Sequence, residues 1–162
     1  MRLFIAIRLS DEMRKALVQC MHDLKKQGVE GNYVPAQNLH MTLAFIGEYK
    51  DPDKVKKVME KVPLPQCRLS LSEKGNFGNI LWAGVKGNQK LKSYVTQLRE
   101  ALKNNGIPFD KEKFVPHITL IRKTSARKPY QVRLPKAEMT VDKVSLMKSE
   151  MKNGKVVYKE LF

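Results

Sequence analysis

Residues 40–43 read His40-Met41-Thr42-Leu43, and residues 117–120 repeat the pattern as His117-Ile118-Thr119-Leu120. The chain holds three histidines, and two of them open these copies. Both copies read as parts of β-strands, in which side chains alternate between two faces. His40 and Thr42 then share one face, as do His117 and Thr119, while Met41, Leu43, Ile118 and Leu120 point the other way into a core. Two such strands side by side would gather two imidazoles and two hydroxyls around one small volume. That constellation suits phosphoryl chemistry. It also sets the expected fold: α+β, with two related lobes that each deliver one strand to a shared cleft.

Working outward, the first motif strand is expected over 39–46, ended by Gly47 and Glu48, with a short extended piece over 33–36 around Pro35. Before it lie a strand over 2–8 and a helix capped by Ser10. Met13, Leu17, Cys20, Met21 and Leu24 form the helix's apolar stripe, and Gly28 ends it. His22 falls beside that stripe among polar neighbours and reads as a partly exposed residue without chemistry. Asp51-Pro52 opens a second helix, which Pro63 and Pro65 stop. Strands over 67–73 and 79–86 are expected to join at a turn around Gly75-Asn76. A third helix spans 88–104, with Leu91, Val95, Leu98 and Leu102 inward. The second motif strand is expected over 114–122. Strands over 130–134, 139–149 and 155–160 follow, the last two joined at Asn153-Gly154.

No linker divides the chain, so residues 1–162 are expected to form one domain. Its hydrophobic fraction of 42% suffices for an ordinary core. No apolar run approaches the ~20 residues needed to cross a bilayer, and the opening run is too short for a signal sequence. Cys20 and Cys67 match no metal spacing and read as apolar fillers in a reducing compartment, which points to the cytoplasm. Lys and Arg total 31 against 16 Asp and Glu, a formal charge of +15. That excess favours a polyanionic ligand, with nucleic acid ahead of other polyanions.

The motif chemistry can be worked out for a ribose 2',3'-cyclic phosphate attacked by water. One group must take a proton from the water, and another must give one to the departing ribose oxygen. Imidazole titrates near ~6.5, so one histidine can be neutral and the other protonated near neutral pH. Thr42 and Thr119 can donate to the phosphoryl oxygens, where charge builds. No metal is required, and two histidines without a third ligand in pattern make an incomplete zinc site. The two strands look chemically alike, so the residues themselves do not say which histidine is acid and which is base.

At these residues the chain resembles the RNA 2',3'-cyclic phosphodiesterases, the LigT-like branch of the 2H phosphoesterase superfamily. The stretches that carry the likeness are Met1 to Ile7, Asn38 to Glu48, Leu81-Trp82-Ala83-Gly84-Val85, Phe114 to Arg122 and Tyr158 to Phe162. The resemblance implies a bilobal fold with pseudo-twofold symmetry, outer helices and a central cleft. It implies hydrolysis of RNA 2',3'-cyclic phosphate ends to 2'-phosphates without cofactor or metal, with His117 activating water and His40 protonating the 3' oxygen. RNA ending in a cyclic phosphate, tRNA fragments included, is the implied partner of a monomeric chain with no membrane contact.

Arg122 matches the basic residue that follows the family's second motif, where a guanidinium would grip phosphate in two places. Strict alternation puts it on the face opposite His117, so it reaches the cleft only through a bulge or twist. Phe45 has the same phase and reads as core. The chain departs from the family at Phe77-Gly78-Asn79-Ile80, where arginines and a proline are common. The aromatic that would stack a terminal base is unassigned; Tyr33 and Tyr130 are the candidates. Two rival readings use the same residues: an ATP-independent 2'-5' RNA ligase or phosphodiesterase, and a non-catalytic RNA-end-binding protein.

Overall fold

The computed structural model describes residues 1–87 and 89–162. Nine strands, β1 (Arg2–Arg8), β2 (Glu30–Tyr33), β3 (His40–Glu48), β4 (Cys67–Phe77), β5 (Ile80–Gly87), β6 (His117–Ser125), β7 (Glu138–Val141), β8 (Ser145–Lys152) and β9 (Lys155–Glu160), alternate with three helices among these residues. The helices are α1 (Asp11–Lys26), α2 (Pro52–Glu60) and α3 (Gln89–Asn104). Asn88, the expected first residue of the third helix, lies outside the described residues.

The strands form two antiparallel sheets, in the orders β3-β1-β8-β9 and β2-β6-β5-β4-β7. Each sheet therefore holds one motif strand, as the α+β bilobal reading expects. Leu3, Ile5, Ile7, Met41 and Leu43 of the first sheet and Leu81, Ala83, Ile118 and Leu120 of the second join the inward stripes of α1 and α3 in one core. Ser10 caps α1 by accepting from the Met13 amide at 3.2 Å, and Asp51 caps α2 from Lys54 at 3.2 Å. Both cysteines are free and buried, and burial pushes the Cys20 thiol up to about 11. His22 is exposed. No helix among the described residues is long and apolar enough to cross a membrane.

Several expected boundaries move. The turn expected at Gly75-Asn76 lies instead at Gly78-Asn79, because β4 continues to Phe77 and pairs Gly75 with Trp82. Gly75 is glycine because of a close approach: a Cβ there would sit 2.1 Å from the Trp82 ring. The second motif strand starts at His117 rather than 114, after Pro116, whose carbonyl accepts from Val85 at 3.1 Å. Residues 130–134 are not a strand. The Gln27 amide takes both the N–H and the C=O of Gln131, at 2.9 and 2.8 Å, and holds that segment against the end of α1. The expected strand over 139–149 breaks at 142–144, and its halves join different sheets, β7 beside β4 and β8 beside β1. β2 is a strand that the residue pattern does not announce: Glu30-Gly31-Asn32-Tyr33 has no apolar alternation, and pairing with β6 is what orders it.

Candidate active site

Both motif strands carry the same irregularity. In the β1–β3 ladder, Ala6 pairs with Thr42 but Ile5 pairs with Ala44, so the register skips Leu43. In the β5–β6 ladder, Trp82 pairs with Thr119 but Leu81 pairs with Ile121, so it skips Leu120. Each bulge falls on the leucine after the motif threonine, and it reverses the alternation beyond that point. Leu43-Ala44 and Leu120-Ile121 are accordingly buried as neighbours. The next residues, Phe45 and Arg122, turn onto the face of the histidines.

This corrects the expectation for Phe45. It does not enter the main core but joins Phe4, Ala6, Met147 and Tyr158 in a small apolar cluster, under the Arg2 guanidinium at 5.1 Å. The same reversal supplies the condition on which Arg122 could reach the cleft.

The skipped leucines leave carbonyl groups outside the regular ladder, and each finds a donor. The Leu120 carbonyl accepts from the Val34 amide at 2.9 Å, just beyond β2. β3 is an edge strand with no such neighbour, and Arg99 of α3 substitutes for one. Its Nε and one terminal nitrogen donate to the Leu43 carbonyl at 3.1 and 2.9 Å, and its other terminal nitrogen donates to the Glu112 carbonyl at 2.7 Å. Sequence reasoning missed Arg99, since nothing local distinguishes it from other helix cations.

His40, Thr42, His117, Thr119 and Arg122 line one cavity, which Val34, Asn38 and Tyr158 help enclose. The histidines are held alike. His40 Nδ1 donates to the Asn38 carbonyl at 2.7 Å, and His117 Nδ1 donates to the Val115 carbonyl at 2.6 Å. A carbonyl only accepts, so Nδ1 carries the proton in both rings and Nε2 is the nitrogen free to exchange one. His40 Nε2 lies 2.9 Å from Thr42 Oγ1. The Asn38 amide in turn donates to the Val156 carbonyl of β9 at 3.1 Å, fixing the base of this arrangement. Burial holds the His40 imidazole below its ordinary value; the Arg122 and His117 charges act in the same direction, against the Asn38 hydrogen bond.

Aromatic rings brace both imidazoles: Phe4 and Tyr158 lie 5.0 and 5.2 Å from His40, and Phe77 and Trp82 lie 5.2 and 5.5 Å from His117. The proposed stacking residues Tyr33 and Tyr130 are elsewhere. Tyr33 donates to the Val29 carbonyl at 2.6 Å beneath Lys25, and Tyr130 packs partly buried against the core. Among the described residues, no group of three or more His, Cys, Asp or Glu side chains is placed to hold a metal.

Residues 10–153 match the model of the 2'-5' RNA ligase superfamily. A Thermotoga maritima protein named RNA 2',3'-cyclic phosphodiesterase is 30% identical, over 100% of this chain and 94% of its own length. An Escherichia coli protein of the same name is 30% identical, over 76% of this chain and 73% of its own. The fold matches crystal structures of E. coli LigT, with TM-scores of 0.82 for the apo form and 0.80 for the complex with 3'-AMP. These structures are 27% and 28% identical to it, and each match covers 99% of this chain and 94% of the other. By motif, relatives and fold together, the chain belongs to the 2'-5' RNA ligase superfamily, among the RNA 2',3'-cyclic phosphodiesterases.

Proposed function

We propose that this protein hydrolyses 2',3'-cyclic phosphate ends of RNA to 2'-phosphates, with residues 1–162 acting as one catalytic domain. The observation that carries this reading is that both histidines tie Nδ1 to a backbone carbonyl and line the same cavity as two threonines and a guanidinium. The names of its relatives support the same substrate.

In the proposed step, His117 Nε2 takes a proton from water as the water oxygen bonds to phosphorus. The phosphorus–O3' bond breaks in line, and O3' takes the proton carried by His40 Nε2. Water is consumed and a 2'-phosphate remains. Thr42, Thr119 and Arg122 donate to the phosphoryl oxygens, where negative charge grows. Seating the phosphate beside Arg122 and His117 offsets the positive charges that disfavour protonated His40, so substrate binding readies the acid. The +15 charge draws the RNA in. The free, buried cysteines suit a reducing compartment such as the cytoplasm.

Product analysis of a short oligonucleotide ending in a 2',3'-cyclic phosphate tests the reading. Release of a 2'-phosphate end that persists in chelator is expected. Tight binding with no product would instead favour a non-catalytic RNA-end-binding protein.

A further inference from the structure

The rings beside the two histidines are covered unequally. At His40, Phe4 packs on Tyr158 with centroids 5.0 Å apart and is only 4% exposed. At His117, Phe77 packs on Trp82 at 5.1 Å yet remains 45% exposed. Phe77 is braced from below. Trp82 lies across Gly75, where any side chain would collide with the indole. Gly75, Trp82 and Thr119 are cross-strand partners and so share the cleft face, and Phe77, two residues past Gly75, shares it too. The tight Gly78-Asn79 turn leaves this ring at the rim with nothing above it. A rigid, open aromatic face beside a phosphate-sized cavity is what a nucleobase stacks on.

We propose that Phe77 and Trp82 form a second base subsite, on the His117 side of the phosphate, for a nucleoside that presents a 5'-hydroxyl in place of water. This rests on the acid–base reading above. There the O5' oxygen bonds to phosphorus and gives its proton to His117, while the phosphorus–O3' bond breaks and O3' takes the proton of His40. The product is a 2'-5' phosphodiester, and the reverse step cleaves it. On the other face of the same hairpin, Lys74, Asn79, Arg127 and Lys128 line a groove suited to the phosphates of the strand so held.

Cleavage of a 2'-5'-linked dinucleotide, and of its analogue lacking the base on the 5'-linked side, tests the subsite. Phe77→Ala should lower kcat/KM for the full dinucleotide about tenfold, and Phe77→Tyr should hold it near wild type. Removing the base should cost wild type a similar factor and cost Phe77→Ala nothing more. Equal Phe77→Ala losses on both substrates would mean that the ring only braces His117, and would overturn the proposal. Trp82 is the sole tryptophan, so its quenching by a 5'-hydroxyl dinucleotide reads stacking without turnover. Absence of base-dependent quenching would also overturn it. Cyclic-phosphate hydrolysis without dinucleotide cleavage would sink the subsite but leave the proposed function standing. Quenching lost in Phe77→Ala, with no hydrolysis of cyclic ends, would keep the subsite and sink the acid–base reading.

Discussion

Arg99 of α3 grips the carbonyl of Leu43 with two nitrogens, at 3.1 and 2.9 Å, at the residue where the β3 register slips. The edge strand thereby keeps a bulge that the other motif strand keeps with a neighbouring backbone. Arg99→Met should strand the Leu43 carbonyl. Hydrogen bonds to charged groups contribute about 1.5–3 kcal/mol each, and Arg99 is partly buried, so a loss of about 2–4 kcal/mol in urea unfolding is expected. Arg99→Lys should recover only part of it, since an ammonium lacks the planar fork. Unchanged stability in Arg99→Met would show that the bulge holds itself.

Removing either proposed proton carrier should affect rate far more than fold. His40→Ala and His117→Ala are each expected to lower turnover on cyclic-ended RNA about 100-fold or more, with the far-UV circular dichroism of wild type. Thr42→Val and Thr119→Val should cost less, since each removes one of several donors to the phosphoryl oxygens. A His117→Ala protein that turns over at the wild-type rate would rule out the assigned chemistry.

The repeated motif makes one part of this site legible: two His-x-Thr strands with apolar alternate positions call for a shared polar face. The helices are equally readable, because Leu91, Val95, Leu98 and Leu102 mark a single stripe. What alternation cannot show is its own interruption. The paired apolar residues Leu43-Ala44 and Leu120-Ile121 are the trace of each bulge, but adjacent apolar residues are too common to announce one. Phe45 reads as core for that reason. β2 is hidden because its partner rather than its composition makes it a strand, and Gly75 looks like a turn because the ring that excludes its side chain lies across the sheet.

The His40 environment predicts a pH dependence with a definite sign. Its folded pKa lies below the ordinary imidazole value of about 6.5, chiefly through burial. The unfolded chain therefore takes up a proton first as pH falls. The stability contributed by neutral His40 is complete above the unfolded value, and it declines as pH drops toward the folded one. Urea unfolding between about pH 7.5 and 5 should show this decline, and His40→Asn should flatten it. In Arg122→Gln a nearby positive charge is gone, so NMR titration should find the His40 midpoint moved upward. A downward move would show that Arg122 acts on the ring by something other than its charge.

Gly75 tests how the His117 side is built. A methyl group at this position would lie 2.1 and 2.2 Å from the Cη2 and Cζ2 atoms of Trp82, so in Gly75→Ala the indole must lift off the sheet. Overpacking of this kind costs about 1–3 kcal/mol, readable in urea unfolding. The lifted ring should also push Phe77 and His117 out of their 5.1 and 5.5 Å contacts. Because Trp82 is the only tryptophan, its emission should shift to the red as it meets water. Turnover should fall together with that shift, since His117 Nε2 then loses its place across the cavity from His40. A Gly75→Ala protein with wild-type emission and full activity would mean that the indole has room the backbone does not show, and that Gly75 is not what seats it.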